Sequence, residues 1–251
     1  MLHINDLDPP IWRSISAWFG HIPFAMWLIN ILKPNVFVEL GVHTGTSYFA
    51  FCQAIKSRQL QTRAHGVDTW HGNPNENYHD AWVYYYNTNN TILDKLIVHN
   101  KRYDTFSQLL QMTFEQASHV ITDPIDLLHI DGSHDYKSVR SDFETWLPKM
   151  SDRGVILFHD ITDVPGDNEE HIGSMKLWHE LIQLYPSLSF NHSCGLGILF
   201  IGQRIPEELL NLINNPDELS IFVELANTRP YQYIHRKIQY LLIGHFINPI
   251  H

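Results

Sequence analysis

From Pro34 to Gly202 short apolar runs alternate with stretches of helical period, the pattern of a doubly wound α/β fold with a mostly parallel sheet. The runs predict strands at 35–40, 64–68, 107–112, 125–130 and 154–159, with a last pair at 187–191 and 196–202. Helices are expected near 45–57, 88–99, 113–119, 135–147 and 171–185. A Gly-containing turn separates the last two apolar runs, which predicts an antiparallel hairpin at the sheet edge. Ahead of this core, Ile11 to Leu32 mixes Trp, Ile and Phe with polar residues at helical spacing and stops before Lys33-Pro34, so one or two leading helices are expected. Behind it, a Leu/Ile pattern runs to Phe246 with Pro206 and Asn214-Asn-Pro216 as start and break signals. The expected organisation is a helical cover over 1–33, a core over 34–203 and a helical extension over 204–251.

Four of the predicted strands end in an acid: Glu39, Asp68, Asp131 and Asp160. In open parallel sheets ligands sit beyond the carboxyl ends of the strands, so acids there face a ligand crevice.

Composition narrows the ligand. The 251 residues suffice for one α/β core, and 44% hydrophobic with 18% charged residues describes a globular chain and excludes wholesale disorder. A formal charge of -10 with no dense Lys/Arg run argues against nucleic acid and anionic membrane as partners. The Ala17 to Leu32 stretch is interrupted by Gly20, His21, Pro23 and Asn30, and the start of the chain lacks the features of a secretory signal, so a cytoplasmic protein is expected. Cys52 and Cys194 are the two cysteines, far apart, and are expected to be reduced.

The first predicted strand runs into Glu39-Leu-Gly41-Val-His-Thr-Gly45-Thr-Ser47, where glycines allow a tight turn and bring backbone N–H groups and a helix start toward a ligand. Asp68, ending the next strand, can accept both hydroxyls of a ribose. The loop spacing is not the GxGxxG that admits a pyrophosphate, so a nucleoside without one fits better.

These two segments, Glu39 to Ser47 and Gly66-Val-Asp68-Thr-Trp70, resemble class I S-adenosylmethionine-dependent methyltransferases of Rossmann-like fold. Asp126-Leu-Leu-His-Ile-Asp-Gly-Ser-His-Asp-Tyr136, Asp142 to Leu147 and Gly154 to Asp160 resemble, more narrowly, a subfamily of macrolide-sugar O-methyltransferases and cephalosporin-hydroxylase-like proteins. The resemblance spans roughly 20–202, and its DGSHxY segment is the most specific part. It implies S-adenosylmethionine as cofactor, with Glu39, Gly41, His43, Gly45 and Ser47 at the methionine end and Asp68 with Thr69 at the ribose. Gln111, Met112 and Thr113 would border the adenine, with Asp131 closing the pocket; Met112 is equally readable as core packing.

Asp131-Gly-Ser-His134 and His159-Asp160 close neighbouring strands and can bring two carboxylates and two imidazoles into one crevice. A divalent ion suits them, Mg²⁺ or Mn²⁺ for an oxygen-rich set, zinc or iron for a set dominated by imidazoles. A hydroxyl acceptor gains from such an ion because coordination lowers its pKa while a nearby imidazole takes the proton. Asp131 and Asp160 are the candidate ligands and His134 the candidate base. The resembling sugar O-methyltransferases tend to carry Glu-Asp where this chain has His159-Asp160, so His159 is either a third ligand or a strand residue turned into the core.

The insertion from Trp70 to Tyr86 is dense in aromatics and amides. Trp70, Tyr78 and Trp82 are candidates to recognise a sugar-like or phenolic acceptor, or else pack the loop. Asp163 to His171, rich in turn formers and acids, is a candidate lid or a solvated loop.

The expected function is an S-adenosylmethionine-dependent O-methyltransferase acting on a hydroxyl of a sugar or small natural product with metal assistance, the tail packing either on the core or against a second subunit of a homo-oligomer. The alternatives are a non-catalytic cofactor-binding or scaffolding module and, third, a metal-dependent oxygenase or hydrolase on the same sheet.

Overall fold

The computed structural model describes residues 8–14, 16–71, 92–162 and 172–228. Seven strands form one sheet in the order β3-β2-β1-β4-β5-β7-β6. They are β1 (Val36–Leu40), β2 (Arg63–Asp68), β3 (Ser107–Gln111), β4 (Ile125–Ile130), β5 (Met150–His159), β6 (Ser187–Phe190) and β7 (Leu196–Phe200). Strands β1 to β5 pair in parallel, and β7 runs antiparallel to both β5 and β6. The expected hairpin therefore sits at the sheet edge, with β7 as the one reversed strand of the sheet. Strand β5 begins earlier than its apolar run, because Met150 pairs with Ile125 ahead of a register shift.

The helices are α1 (Ile22–Leu32), α2 (Thr46–Ser57), α3 (Ile92–Asn100), α4 (Phe114–Val120), α5 (Tyr136–Trp146), α6 (Gly173–Leu181), α7 (Glu207–Asn214) and α8 (Ser220–Ala226). A 3-10 turn, Ala17–His21, leads into α1 and is started by the Ser16 hydroxyl, which accepts from Trp18 N. The expected helix at 171–185 is shorter than its periodic pattern, ending at Leu181. The residues beyond 228 and the aromatic insertion after His71, with Tyr78 and Trp82, lie outside the described residues, as does 163–171.

Period-two alternation splits the buried strand residues between two apolar clusters. Val36, Val38, Leu40, Leu128, Ile156 and Phe158 join the cluster under α4, α5 and α6. Phe37, Leu127, Val155 and Leu157 join the opposite cluster, under α1, α2 and the C-terminal helices. Three polar residues continue this second series and face the same way: Glu39, His129 and His159, all buried. Register makes two of them direct neighbours, since Glu39 pairs with His129.

The terminal segments are built into the second cluster. Phe222 of α8, fully buried, meets Phe24 and Trp27 of α1 at ring-centroid distances of 5.3 Å each, with Phe190 at 6.3 Å. This edge contact makes Phe222 an anchor rather than a cover. Phe222→Ala is expected to cost about 3–5 kcal/mol of unfolding free energy in urea titrations; a loss under ~1 kcal/mol would mean that α8 does not belong to the core.

Candidate active site

The end of β1 is held against the end of β4. Gly41 has φ +93°, and a Cβ there would collide with the carbonyl of Asp131, so glycine is required both by conformation and by space. Gly41 N donates to Val67 O at 2.9 Å and Asp131 N to Leu40 O at 2.9 Å, which ties the loops after β1, β2 and β4 together. Gly45, φ +79°, precedes the first residue of α2, and a Cβ on it would press into Leu96 and Phe49.

Asp68 anchors the loop it faces. Its Oδ2 accepts from His43 N at 2.8 Å and its Oδ1 from Trp70 N at 2.7 Å. Each oxygen keeps acceptor capacity beyond that bond, so the carboxylate is oriented by the backbone and still able to meet a diol. His43 is exposed. Thr69 accepts from Gln111 Nε2 at 3.2 Å through its carbonyl, which fastens the end of β3 to the same rim.

Glu39 and Ser47, also expected at the cofactor, are turned inward. Glu39 is fully buried, its two oxygens taken by the Ser47 hydroxyl at 2.7 Å and His129 Nδ1 at 3.0 Å. Burial raises the Glu39 pKa, against the pull of His129 and Ser47. Thr113 caps α4 in a reciprocal box with Gln116, and half-buried Met112 packs on the cluster under α4 to α6. Trp70 packs against the other cluster, and its indole N–H donates to His43 O at 3.1 Å, so it braces the cofactor-side loop.

Beyond β4 and β5 the predicted acids and imidazoles meet. One ligand atom from each of Asp131, His134 and Asp160 lies within 4.8 Å of the others, a set of two oxygens and one nitrogen suited to a divalent cation. His134 Nε2 stands 2.8 Å from Asp160 Oδ2, and burial, which alone would lower its pKa, is overcome by that hydrogen bond and the charges of Asp160 and Asp131, leaving it raised to about 9. His159 is outside this trio but touches it from below, with Nδ1 3.1 Å from Asp160 Oδ2 and 3.4 Å from Asp131 Oδ1. Against its burial, the charges of Asp160 and Asp131 hold its pKa well above the usual imidazole value. Burial works to raise both carboxyls, and His159 first among their neighbours keeps Asp131 low and Asp160 well below the ordinary range.

Sequence reasoning missed the supports of this cluster. Ser193 O lies 3.0 Å from His159 Nε2 and 3.2 Å from His21 Nε2, and Trp18 Nε1 donates to His129 at 3.2 Å. These contacts span 34, 172 and 111 residues, and no local motif announces them. The alternation of β1, β4 and β5 was the one available signal, because it puts Glu39, His129 and His159 on a single face.

Residues 38–161 match the model of a family described as a methyltransferase domain. Just under half of the chain is thus similar to a methyltransferase domain. Its sheet is the seven-stranded, mostly parallel one described above. In addition, 213 residues are 42% identical to an uncharacterised protein, y4gI, of Sinorhizobium fredii, an alignment covering 84% of this chain and 22% of that protein. The chain thus spans about a fifth of the length of that relative. Among solved structures, the fold is similar to the SAH-bound methyltransferase PaMTH1 of Podospora anserina, at TM-score 0.53 and 14% identity over 72% of this chain and 77% of that one. It is also similar to TomG of Streptomyces achromogenes, an O-methyltransferase involved in tomaymycin synthesis and solved with SAM, at TM-score 0.50 and 12% identity over 75% and 82%.

Beneath the DGSH loop of this domain lies one more strained acid. Asp142 of α5 is pushed up to about 7 by burial and then by the charge of Asp135. Folding therefore takes up a proton between the usual carboxylate value of 3.8 and pH 7, and stability falls as pH rises through that window. Asp142→Asn is expected to flatten that slope and to be more stable than the parent at pH 8, by at most roughly 4 kcal/mol. Parallel stability-versus-pH curves for the two proteins would contradict the assignment.

Proposed function

We propose that this methyltransferase domain is an S-adenosylmethionine-dependent O-methyltransferase that acts on a hydroxyl of a sugar or small natural product, with Mg²⁺ or Mn²⁺ held by Asp131 and Asp160. One observation carries the reading. The glycine loop after β1 is packed directly on the Asp131 backbone, so a nucleoside site at Asp68 and an acid/imidazole site at Asp131, His134 and Asp160 share one crevice. TomG, the O-methyltransferase of tomaymycin synthesis, lends the acceptor class support by fold.

Bound S-adenosylmethionine would supply a sulfonium methyl for in-line displacement by an oxygen nucleophile. A divalent ion would supply Lewis acidity that lowers the pKa of the acceptor hydroxyl. The residues do the rest. Asp68 orients the ribose while its own position is fixed by His43 N and Trp70 N. Asp131 and Asp160 bring negative charge to the cation site, and His159, fixed through Ser193 O, holds both carboxylates from Nδ1. His134 is placed to take the acceptor proton at Nε2 once the charge of Asp160 is shared with a cation, because Asp160 is what keeps a proton on that ring.

The same His159 motivates a second reading, in which two imidazoles neutralise the acids and the domain binds cofactor without turnover. The two differ in what metal does. In the first, chelation abolishes methylation of a sugar or phenol acceptor panel and Mn²⁺ restores it; in the second, the panel stays unmethylated while cofactor binds.

Asp68→Ala is expected to weaken S-adenosylmethionine binding by at least about tenfold, or ~1.4 kcal/mol. Asp160→Ala should leave that affinity within about threefold and lose the Mn²⁺ site in calorimetry. Equal cofactor affinity in the parent and Asp68→Ala would remove the ribose role, and Mn²⁺ bound equally by Asp160→Ala would remove the metal assignment.

A further inference from the structure

Four residues from four separate elements form a single buried chain of hydrogen bonds. Trp18 comes from the leading 3-10 turn, His129 from β4, Glu39 from β1 and Ser47 from the first turn of α2. Their exposures are 1%, 0%, 0% and 4%, so water cannot substitute for any member. The indole N–H can only donate, which obliges His129 Nε2, 3.2 Å away, to accept. The Nδ1 proton of His129 is then donated to Glu39 Oε2 at 3.0 Å, while Glu39 Oε1 accepts from Ser47 at 2.7 Å. One donor at the end of the chain thus sets the direction of every bond in it.

We propose that Trp18 is a positioning residue for the cofactor pocket, acting by fixing the tautomer of His129 and through it the Glu39 carboxylate and the start of α2. This rests on the S-adenosylmethionine reading of that pocket. His129 Nε2 lies 4.0 Å from Asp131 Oδ2. With its proton held on Nδ1, His129 offers Asp131 no hydrogen bond, and that carboxylate stays directed at the crevice. Without the indole donor the ring can carry its proton on Nε2 instead. It would then draw on Asp131 and turn a lone pair toward Glu39, loosening both walls of the pocket together.

Neighbouring contacts support the same role for the whole leading segment. Trp12 donates its indole N–H to Thr44 O, inside the glycine loop, at 2.8 Å. Gln53 of α2 clasps the segment by accepting from Ile11 N at 2.8 Å and donating to Pro9 O at 2.9 Å. Both tryptophans precede residues 38–161, so these braces are additions to the matched methyltransferase domain.

A double-mutant cycle on cofactor affinity tests the proposal, using calorimetric titration of S-adenosylmethionine into the full chain, Trp18→Phe, Glu39→Gln and the pair. Trp18→Phe keeps an aromatic ring and removes the donor, and should weaken binding about tenfold. In the Glu39→Gln background the same change should cost threefold or less, because the carboxylate that the chain orients is gone. Effects that simply multiply overturn the proposal. A parent protein that binds no S-adenosylmethionine overturns the reading of the pocket and the positioning role with it, whereas a parent that binds with multiplicative variants overturns the positioning role alone. Nitrogen NMR of His129 in the unmutated protein serves where Trp18→Phe does not fold: a proton on Nδ1 supports the proposal, and a proton on Nε2 overturns it.

Discussion

The approach of two backbones governs this site. Gly41 rests on the carbonyl of Asp131 with no room for a side chain, and hydrogen bonds from Gly41 to Val67 and from Asp131 to Leu40 lock the ends of β1, β2 and β4 at that separation. Asp68 and Asp131 are hung from those ends, and Asp160 follows β5 beside them. Asp68 takes its orientation from loop N–H groups on one side of the contact, and Asp131 stands on the other. A parallel sheet creates such a crevice wherever its strand order reverses, here between β1 and β4.

Charge is the second constraint. Asp131, Asp160 and Glu39 are all carboxyls that burial alone would push up, and each is countered by imidazoles: His159 and His134 for the first two, His129 for the third. The fold can hold these acids because period-two alternation turns His129 and His159 to the same side of the sheet as Glu39, under the tryptophan of the leading turn. The leading segment and the C-terminal helices are part of that arrangement, since both belong to the apolar cluster that seals it.

Much of this was legible in the sequence. Strand positions, the antiparallel hairpin and the acids at strand ends follow from apolar runs of strand length and their terminal residues. The turn at the loop glycines was readable because a tight turn is local. The inward turn of Glu39 and Ser47 was not, since it depends on a histidine 90 residues away from Glu39 and on an indole 111 residues from that histidine. His159 resisted assignment for a related reason: its position at the last residue of β5 lets it face both the core and the crevice, and only Ser193, delivered by the turn between β6 and β7, decides how the ring is set. Thr113, expected beside the adenine, is exposed and caps α4.

The central claim is that one crevice takes both S-adenosylmethionine and a divalent cation. Calorimetric titration of the metal-stripped protein with S-adenosylmethionine, repeated with Mn²⁺ and with Mg²⁺ present, measures this directly. The account predicts saturable 1:1 cofactor binding near micromolar affinity and a separate stoichiometric heat for Mn²⁺. Absence of any cofactor heat, with or without metal, would contradict it.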